Sequence, residues 1–157
     1  MNKKLTIEYQ EFAHWSELDE IERGLVGKAY GICDQAYAPY SRFRVGAVVL
    51  LENGVEVMGN NQENIAYPSG LCAERVALFY TGANHPGIPV KTLVIVAKGD
   101  LIEPDDCLSP CGACRQVIAE SEFRQKDPMR VVLISESGRT FVFDKGTDLL
   151  VFPFGMH

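Results

Sequence analysis

The chain has 157 residues and a formal net charge of −6 at pH 7, a length that fits one domain and buries about 70% of the unfolded surface without disulfides. The acidic balance argues against a polyanion-binding surface, so no nucleic-acid polymer is expected as a partner. No apolar run reaches the roughly 18 residues of a membrane span.

Met1-Asn2-Lys3-Lys4-Leu5-Thr6 starts basic but leads into no apolar signal core. Five cysteines, an odd number, suit reduced thiols better than a disulfide framework, which makes a cytoplasmic location the expectation. Leu5-Thr6-Ile7-Glu8-Tyr9 alternates apolar and polar residues. This short strand signal reads as an added edge strand or an arm within an N-terminal extension over residues 1–15. Ser16 followed by Asp19 marks a helix start. Leu18, Ile21, Leu25, Ala29, Ile32 and Ala36 then recur at helical steps as one apolar face, and Pro39 ends the helix. Trp15 reads as packing.

Phe43 to Leu51 is a strand, Asn53-Gly54 a two-residue hairpin turn, and Val55 to Asn61 the returning strand. Tyr67-Pro68-Ser69-Gly70 cannot continue a strand and delivers the chain to a helix that begins near Cys72, carries Val76, Leu78 and Phe79, and stops around Gly82. After a turn at Asn84-His85-Pro86-Gly87, the continuous apolar run Val90 to Ala97 reads as a central strand covered on both faces. Pro104-Asp105-Asp106 is loop, and a second short helix runs from Cys111 to about Phe123. Arg130 to Ser135 and Thr140 to Phe143 are strands joined at Ser137-Gly138, and Asp148 to Val151 is one helical turn. No repeat or linker divides residues 1–157. Strands alternating with helices after a hairpin indicate a three-layer α/β/α domain with a mixed sheet of about five strands.

Two short stretches carry the chemistry: Cys72-Ala73-Glu74 and Pro110-Cys111-Gly112-Ala113-Cys114. Three thiolates, Cys72, Cys111 and Cys114, can hold one Zn²⁺ and leave an open position for water, the pattern of a catalytic site. Zinc brings the pKa of such a water to around 7, and Glu74, two residues from a ligand, can move its protons. Both stretches open helices, whose N-termini favour thiolate over thiol. Three thiolates around Zn²⁺ carry a net −1 charge and weaken the Lewis acid, which Arg75 is placed to offset by hydrogen bonding to sulfur. A closed structural zinc or iron–sulfur site, with Cys107 or Cys33 as fourth ligand, is the alternative reading. Cys107 follows Asp105-Asp106 on a loop, and Cys33 reads as buried packing.

Further motifs surround these stretches. Ala38-Pro39-Tyr40-Ser41-Arg42-Phe43-Arg44-Val45-Gly46-Ala47, Asn61-Gln62-Glu63-Asn64 leading to Cys72-Ala73-Glu74-Arg75, and Ser109-Pro110-Cys111-Gly112-Ala113-Cys114-Arg115-Gln116-Val117 stand in that order. With them the chain resembles, over residues 28 to 135, the cytidine deaminases of the small, homotetrameric, all-cysteine zinc class. The resemblance implies the same α/β/α fold, one zinc ion per chain, Glu74 as proton shuttle and Arg75 donating to thiolate sulfur. It implies that Asn61 and Glu63 bind the sugar hydroxyls, that Phe43 packs on the pyrimidine and that Ala73 contacts the base through its backbone. It places Tyr67 near the pocket, able to act across a subunit boundary in a homotetramer with shared sites. The family's C-terminal aromatic corresponds to Phe152 or Phe154, or to neither.

The expected reaction is hydrolytic deamination of cytidine and 2′-deoxycytidine, in pyrimidine salvage. A buried sugar-binding pair gives steep selectivity for free nucleosides. Two alternatives stand beside it. One is a deaminase of a modified cytosine nucleoside such as blasticidin S, against which the Asn61/Glu63 pair and the opening motif weigh. The other is a structural zinc module that binds a protein partner.

Overall fold

The computed structural model describes residues 1–155; His157, which carries no expected metal role, lies outside the described residues. Among the described residues six strands form one mixed sheet: β1 (Gln10–Phe12), β2 (Arg44–Leu51), β3 (Glu56–Asn60), β4 (Val90–Lys98), β5 (Arg130–Ile134) and β6 (Thr140–Phe143), in the spatial order β1-β6-β5-β4-β2-β3. Only β4 and β5 are parallel, and the chain passes between them through a helix, as a parallel crossover requires. The helices are α1 (Glu20–Cys33), α2 (Ala73–Asn84) and α3 (Gly112–Phe123).

The period of two along each strand sorts side chains into two cores. Ala47, Val49, Leu93, Ile95, Val131 and Leu133 face one way, in a cluster with Ala73 and Ala77 of α2 and Ile118 of α3. Val48, Val94, Val96, Val132, Ile134 and Val142 face the other way, with Leu25, Val26, Ala29 and Cys33 of α1. The result is the expected three-layer α/β/α arrangement, and the apolar run of β4 is covered on both faces. No helix among the described residues is long and apolar enough to cross a membrane.

The sheet has six strands, one more than expected, and the sixth is β1. It pairs antiparallel with β6 as Gln10↔Val142, Glu11↔Phe141 and Phe12↔Thr140. The alternating segment Leu5 to Tyr9 is not the strand: continuing this register brings Tyr9 only to the last residue of β6, Phe143, and carries Leu5 to Glu8 past it. Tyr9 instead stacks on Phe143, with ring centroids 5.5 Å apart.

Three local readings also shift. Ser16 falls in a 3₁₀ turn (Trp15–Glu17), while α1 is capped by Asp19, whose Oδ1 accepts from Glu22 N at 2.8 Å. The buried stripe of α1 includes Glu22 in place of Ile21, which is 62% exposed; Glu22 is buried because Arg130 Nε pairs with it at 2.6 Å. The β2–β3 hairpin turns through three residues, not two. Leu51 N–H donates to Val55 O, Gly54 N–H donates to Leu51 O, and Gly54 takes the left-handed φ of +84° that closes such loops.

Candidate active site

Helices α2 and α3 lie on the same face of the sheet, and their first turns meet. Gly59 in β3 allows this approach: a Cβ there would stand 2.7 Å from both Ala73 O and Ala77 N. Cys72 and Cys111 occupy the two N-cap positions, and neither side chain caps its own helix. Their sulfurs turn toward each other at 3.9 Å, Cys114 Sγ lies 3.5 Å from Cys111 Sγ, and all three lie within 4.8 Å of one another. Tetrahedral thiolates at the usual Zn–S distance stand about 3.8 Å apart, so the three residues could hold a metal ion. Neither Cys33, buried in the core on the opposite face, nor the exposed Cys107 joins the group.

The charges in the cluster are uneven. The Cys72 thiol is drawn down to about 5, chiefly by the hydrogen bond with Cys114, against burial and with help from Arg75 and Cys111. Cys114 moves the opposite way, held up by the same hydrogen bond, by burial and by the charges of Glu74 and Cys72. The protein alone thus favours thiolate at Cys72 over Cys114, and a divalent cation is a partner that lets clustered thiols ionise together.

Glu74, in the first turn of α2, is 4% exposed and lines the cleft beside the sulfurs. Burial, and then the charge on Cys72, push its carboxyl up to about 7, against its own N–H, Arg75 and Cys114. Among the described residues, its Oε2 is buried with no hydrogen-bond partner, as is Arg75 Nε. Arg75 Nη2 donates to Cys72 Sγ at 3.8 Å.

A cleft of about 860 Å³ opens above these groups. Phe43, Asn61, Glu63 and Tyr67 all line it, while Ala73 is fully buried at the start of α2. Asn61 lies just past β3; its Oδ1 accepts from Val45 N at 2.8 Å and its Nδ2 donates to Phe43 O at 2.9 Å. Glu63 Oε2 accepts from Tyr40 N at 2.9 Å and Ser41 N at 3.3 Å, and Oε1 accepts from Ser41 Oγ. Burial acts to raise the Glu63 pKa, but these hydrogen bonds outweigh it and leave the carboxyl below its ordinary range. The expected sugar-binding pair is therefore also the brace of the segment from Tyr40 to Val45. Tyr67 stands at the mouth, its ring edge toward Tyr40 at 6.0 Å.

Arg115 stands in the sequence as part of a motif, with no role that the motif assigns. Its Nε donates to Pro110 O at 2.8 Å, its Nη1 to Leu149 O at 2.9 Å and its third nitrogen to Ser109 Oγ. The fork fixes the turn that delivers Cys111 and ties it to the C-terminal segment. Its place directly after Cys114 was the available signal, but its carbonyl partners leave none.

Comparison with known proteins agrees with this geometry. A family model described as "Cytidine and deoxycytidylate deaminase zinc-binding region" matches residues 20–127. A cytidine deaminase of Sporosarcina psychrophila is 44% identical over 96 residues, which cover 61% of this chain and 66% of that protein. One from Mycobacterium tuberculosis is 37% identical over 109 residues, covering 68% of this chain and 77% of the relative. The crystal structure of cytidine deaminase from Burkholderia pseudomallei superposes with a TM-score of 0.71 at 35% identity, covering 84% of this chain and 98% of that one. Three sulfurs at two helix starts, a buried carboxyl lining the same cleft and these matches lead to one assignment: the chain belongs to the cytidine and deoxycytidylate deaminase family, zinc-binding hydrolases that act on a C–N bond.

Proposed function

We propose that the protein converts cytidine and 2′-deoxycytidine, with water, to uridine and 2′-deoxyuridine plus ammonia. Cys72, Cys111 and Cys114 would hold one zinc ion per chain. The observation that carries the reading is Glu74, a buried carboxyl whose Oε2 has no partner among the described residues and which lines the cleft beside three converging sulfurs. When bound, zinc would supply a water acidified to about neutrality. Glu74 takes the proton from water, delivers it to N3 of the base, and carries a second proton to the departing amine. Arg75 draws negative charge from Cys72 through its hydrogen bond to sulfur.

Phe43 packs on the pyrimidine ring and the Ala73 backbone borders the base. Asn61 retains one N–H and one lone pair beyond its bonds to Phe43 and Val45, and Glu63 retains part of its roughly four-site accepting capacity, enough to meet sugar hydroxyls. A nucleoside lacking those hydroxyls leaves these groups unpaired, which disfavours it. Phe152 and Phe154 are 92% and 90% exposed, and Ile65 and Tyr67 are also exposed. Apolar groups this open call for a cover, which supports a homotetramer in which Tyr67 and a C-terminal aromatic complete neighbouring sites. The reaction belongs to cytoplasmic pyrimidine salvage.

The test is ammonia release from cytidine by the zinc-loaded protein, with Glu74→Gln beside it. Steady release by the native chain is expected. The variant should keep one zinc per chain and lose about 10²- to 10⁴-fold in turnover. A variant within a few-fold of native activity refutes the role given to Glu74, and no release from any cytosine nucleoside refutes the reaction.

A further inference from the structure

One wall of the cleft is made by a long irregular connection. Between the end of β4 at Lys98 and the start of α3 at Gly112 the chain has no regular structure, yet Leu101, Ile102, Cys107, Leu108 and Ser109 from this stretch line the cleft. Leu108 and Ile102 are anchored in the core. The segment between them is exposed and is held elsewhere, by the turn that joins β5 to β6. Ser137 N donates to Pro104 O at 3.0 Å, Ser135 Oγ donates to Asp106 O, and Arg139 Nη1 donates to Asp105 O at 3.3 Å.

The other side of that turn is occupied by the N-terminal segment. Arg139 Nε donates to Glu11 Oε1 at 2.7 Å and its Nη2 pairs with the same oxygen at 2.5 Å. Trp15 N donates to Gly138 O at 2.9 Å. The His14 ring covers Gly138 so closely that a Cβ there would meet His14 Cδ2 at 2.3 Å. The Arg139 guanidinium also lies 5.2 Å over the Phe141 ring, which fixes its plane. The turn is thus clasped between β1 with the segment behind it and the wall of the cleft. The family match spans residues 20–127, so one half of this clasp lies before it and the other, at Ser137 to Arg139, beyond its end.

We propose that the N-terminal segment from Glu11 to Trp15 is a buttress for the active-site wall. Arg139 is its positioning residue, joining β1 to the backbone of Asp105 and so setting the place of residues 101–109 against bound nucleoside. The guanidinium suits the task because its rigid planar fork spans a carboxylate and a carbonyl at once, whereas an ammonium on a flexible stem holds the two with less preorganisation. The inference rests on the cytidine reading for its kinetic consequence and not for its structural one.

The experiment compares the full-length protein with Glu11→Ala and Arg139→Lys, each zinc-loaded. It reads amide hydrogen exchange in residues 101–108, alkylation of Cys107, and kcat and KM for cytidine separately. In both variants, exchange in 101–108 and labelling of Cys107 should speed up about three- to fivefold, the worth of one exposed charged contact. KM should rise by a similar factor, with kcat changed less than about twofold and melting temperature and zinc content retained. Unaltered wall exchange and KM in both variants overturns the proposal, showing the wall to be held by Ile102 and Leu108 alone. Exchange that rises equally in β5 and α3 also overturns it, since that is a general loosening. If the native protein releases no ammonia from cytidine, the cytidine reading has failed, and the exchange and labelling results still decide for or against the buttress.

Discussion

Arg75 Nη2 lies 3.8 Å from Cys72 Sγ, donating from the first turn of α2 to the sulfur at that helix's own N-cap. The bond ties a fixed cation to a thiol whose pKa is drawn well below its ordinary value. An all-thiolate site is electron-rich, and a donor to sulfur is the means within this chain of withdrawing that charge. Arg75→Ala should therefore lower kcat by about ten- to a hundredfold, the worth of roughly 1.5–3 kcal/mol for a hydrogen bond to a charged group. Zinc content should stay near that of the native chain. Steady-state kinetics with metal analysis on the same sample checks it, and equal kcat in the two proteins contradicts it.

The five cysteines should separate by reactivity. In zinc-loaded protein an alkylating reagent should reach Cys107, which is exposed and outside the cluster. After chelation Cys72 and Cys111 should label as well. Cys33 should label in neither state: burial pushes its thiol up to about 11, and its S–H donates to Arg44 O at 3.3 Å. Peptide mass spectrometry reads the pattern. The same chelation should lower the melting temperature, since zinc at a hundredfold excess over its Kd contributes about 2.7 kcal/mol to stability.

Gly59→Ala should destabilise the fold at the point where the site is assembled. The added methyl meets backbone atoms of α2 at 2.7 Å, which cannot rotate away as a side chain could. Overpacking of this kind costs about 1–3 kcal/mol, and here it pushes α2 off the sheet, moving Cys72 and Glu74 relative to Cys111. Denaturant titration and zinc affinity should both fall.

Glu122, in the last turns of α3, is a buried carboxyl that gathers four donors. Met129 N at 2.8 Å and Gly146 N at 2.7 Å reach Oε2, and Thr147 N at 3.3 Å and Thr147 Oγ1 at 2.6 Å reach Oε1. Glu122→Ala leaves two buried N–H groups, at Met129 and Gly146, without an acceptor, each costing about 1–3 kcal/mol. A loss of about 3 kcal/mol or more in a urea titration is the expected outcome, against near-neutrality for Glu120→Ala on the exposed face.

The parts of this structure legible in the sequence are those set by local rules. Thr140 to Phe143 and the apolar strand beginning at Val90 fall where alternation and unbroken apolarity put them, and α2 and α3 start beside Cys72 and Cys111. The joint spacing of the three cysteines and Glu74 marked the site because those residues are fixed by chemistry. What escaped depends on partners remote in the chain. Glu22 is buried only because Arg130 reaches it, β1 is a strand only where β6 still runs beside it, and Arg115 acquires its role from Leu149. Asn61 and Glu63 were legible as lining a pocket, but their bonds to the segment from Tyr40 to Val45 follow from how that segment folds back.

The sheet divides the thiols, with Cys33 under α1 and the cluster under α2 and α3 on the far side. The full thickness of the sheet separates the two helix layers, whereas a disulfide needs Cα atoms within about 7 Å. In the native protein a bond between Cys33 and Cys72, Cys111 or Cys114 is therefore geometrically barred. In an unfolded chain nothing bars it, and once formed it would keep α1 from reaching its own side of the sheet. Recovery of the native state from denaturant thus becomes a contest between layering and oxidation, and a Cys33 cross-link is a covalent record that oxidation came first.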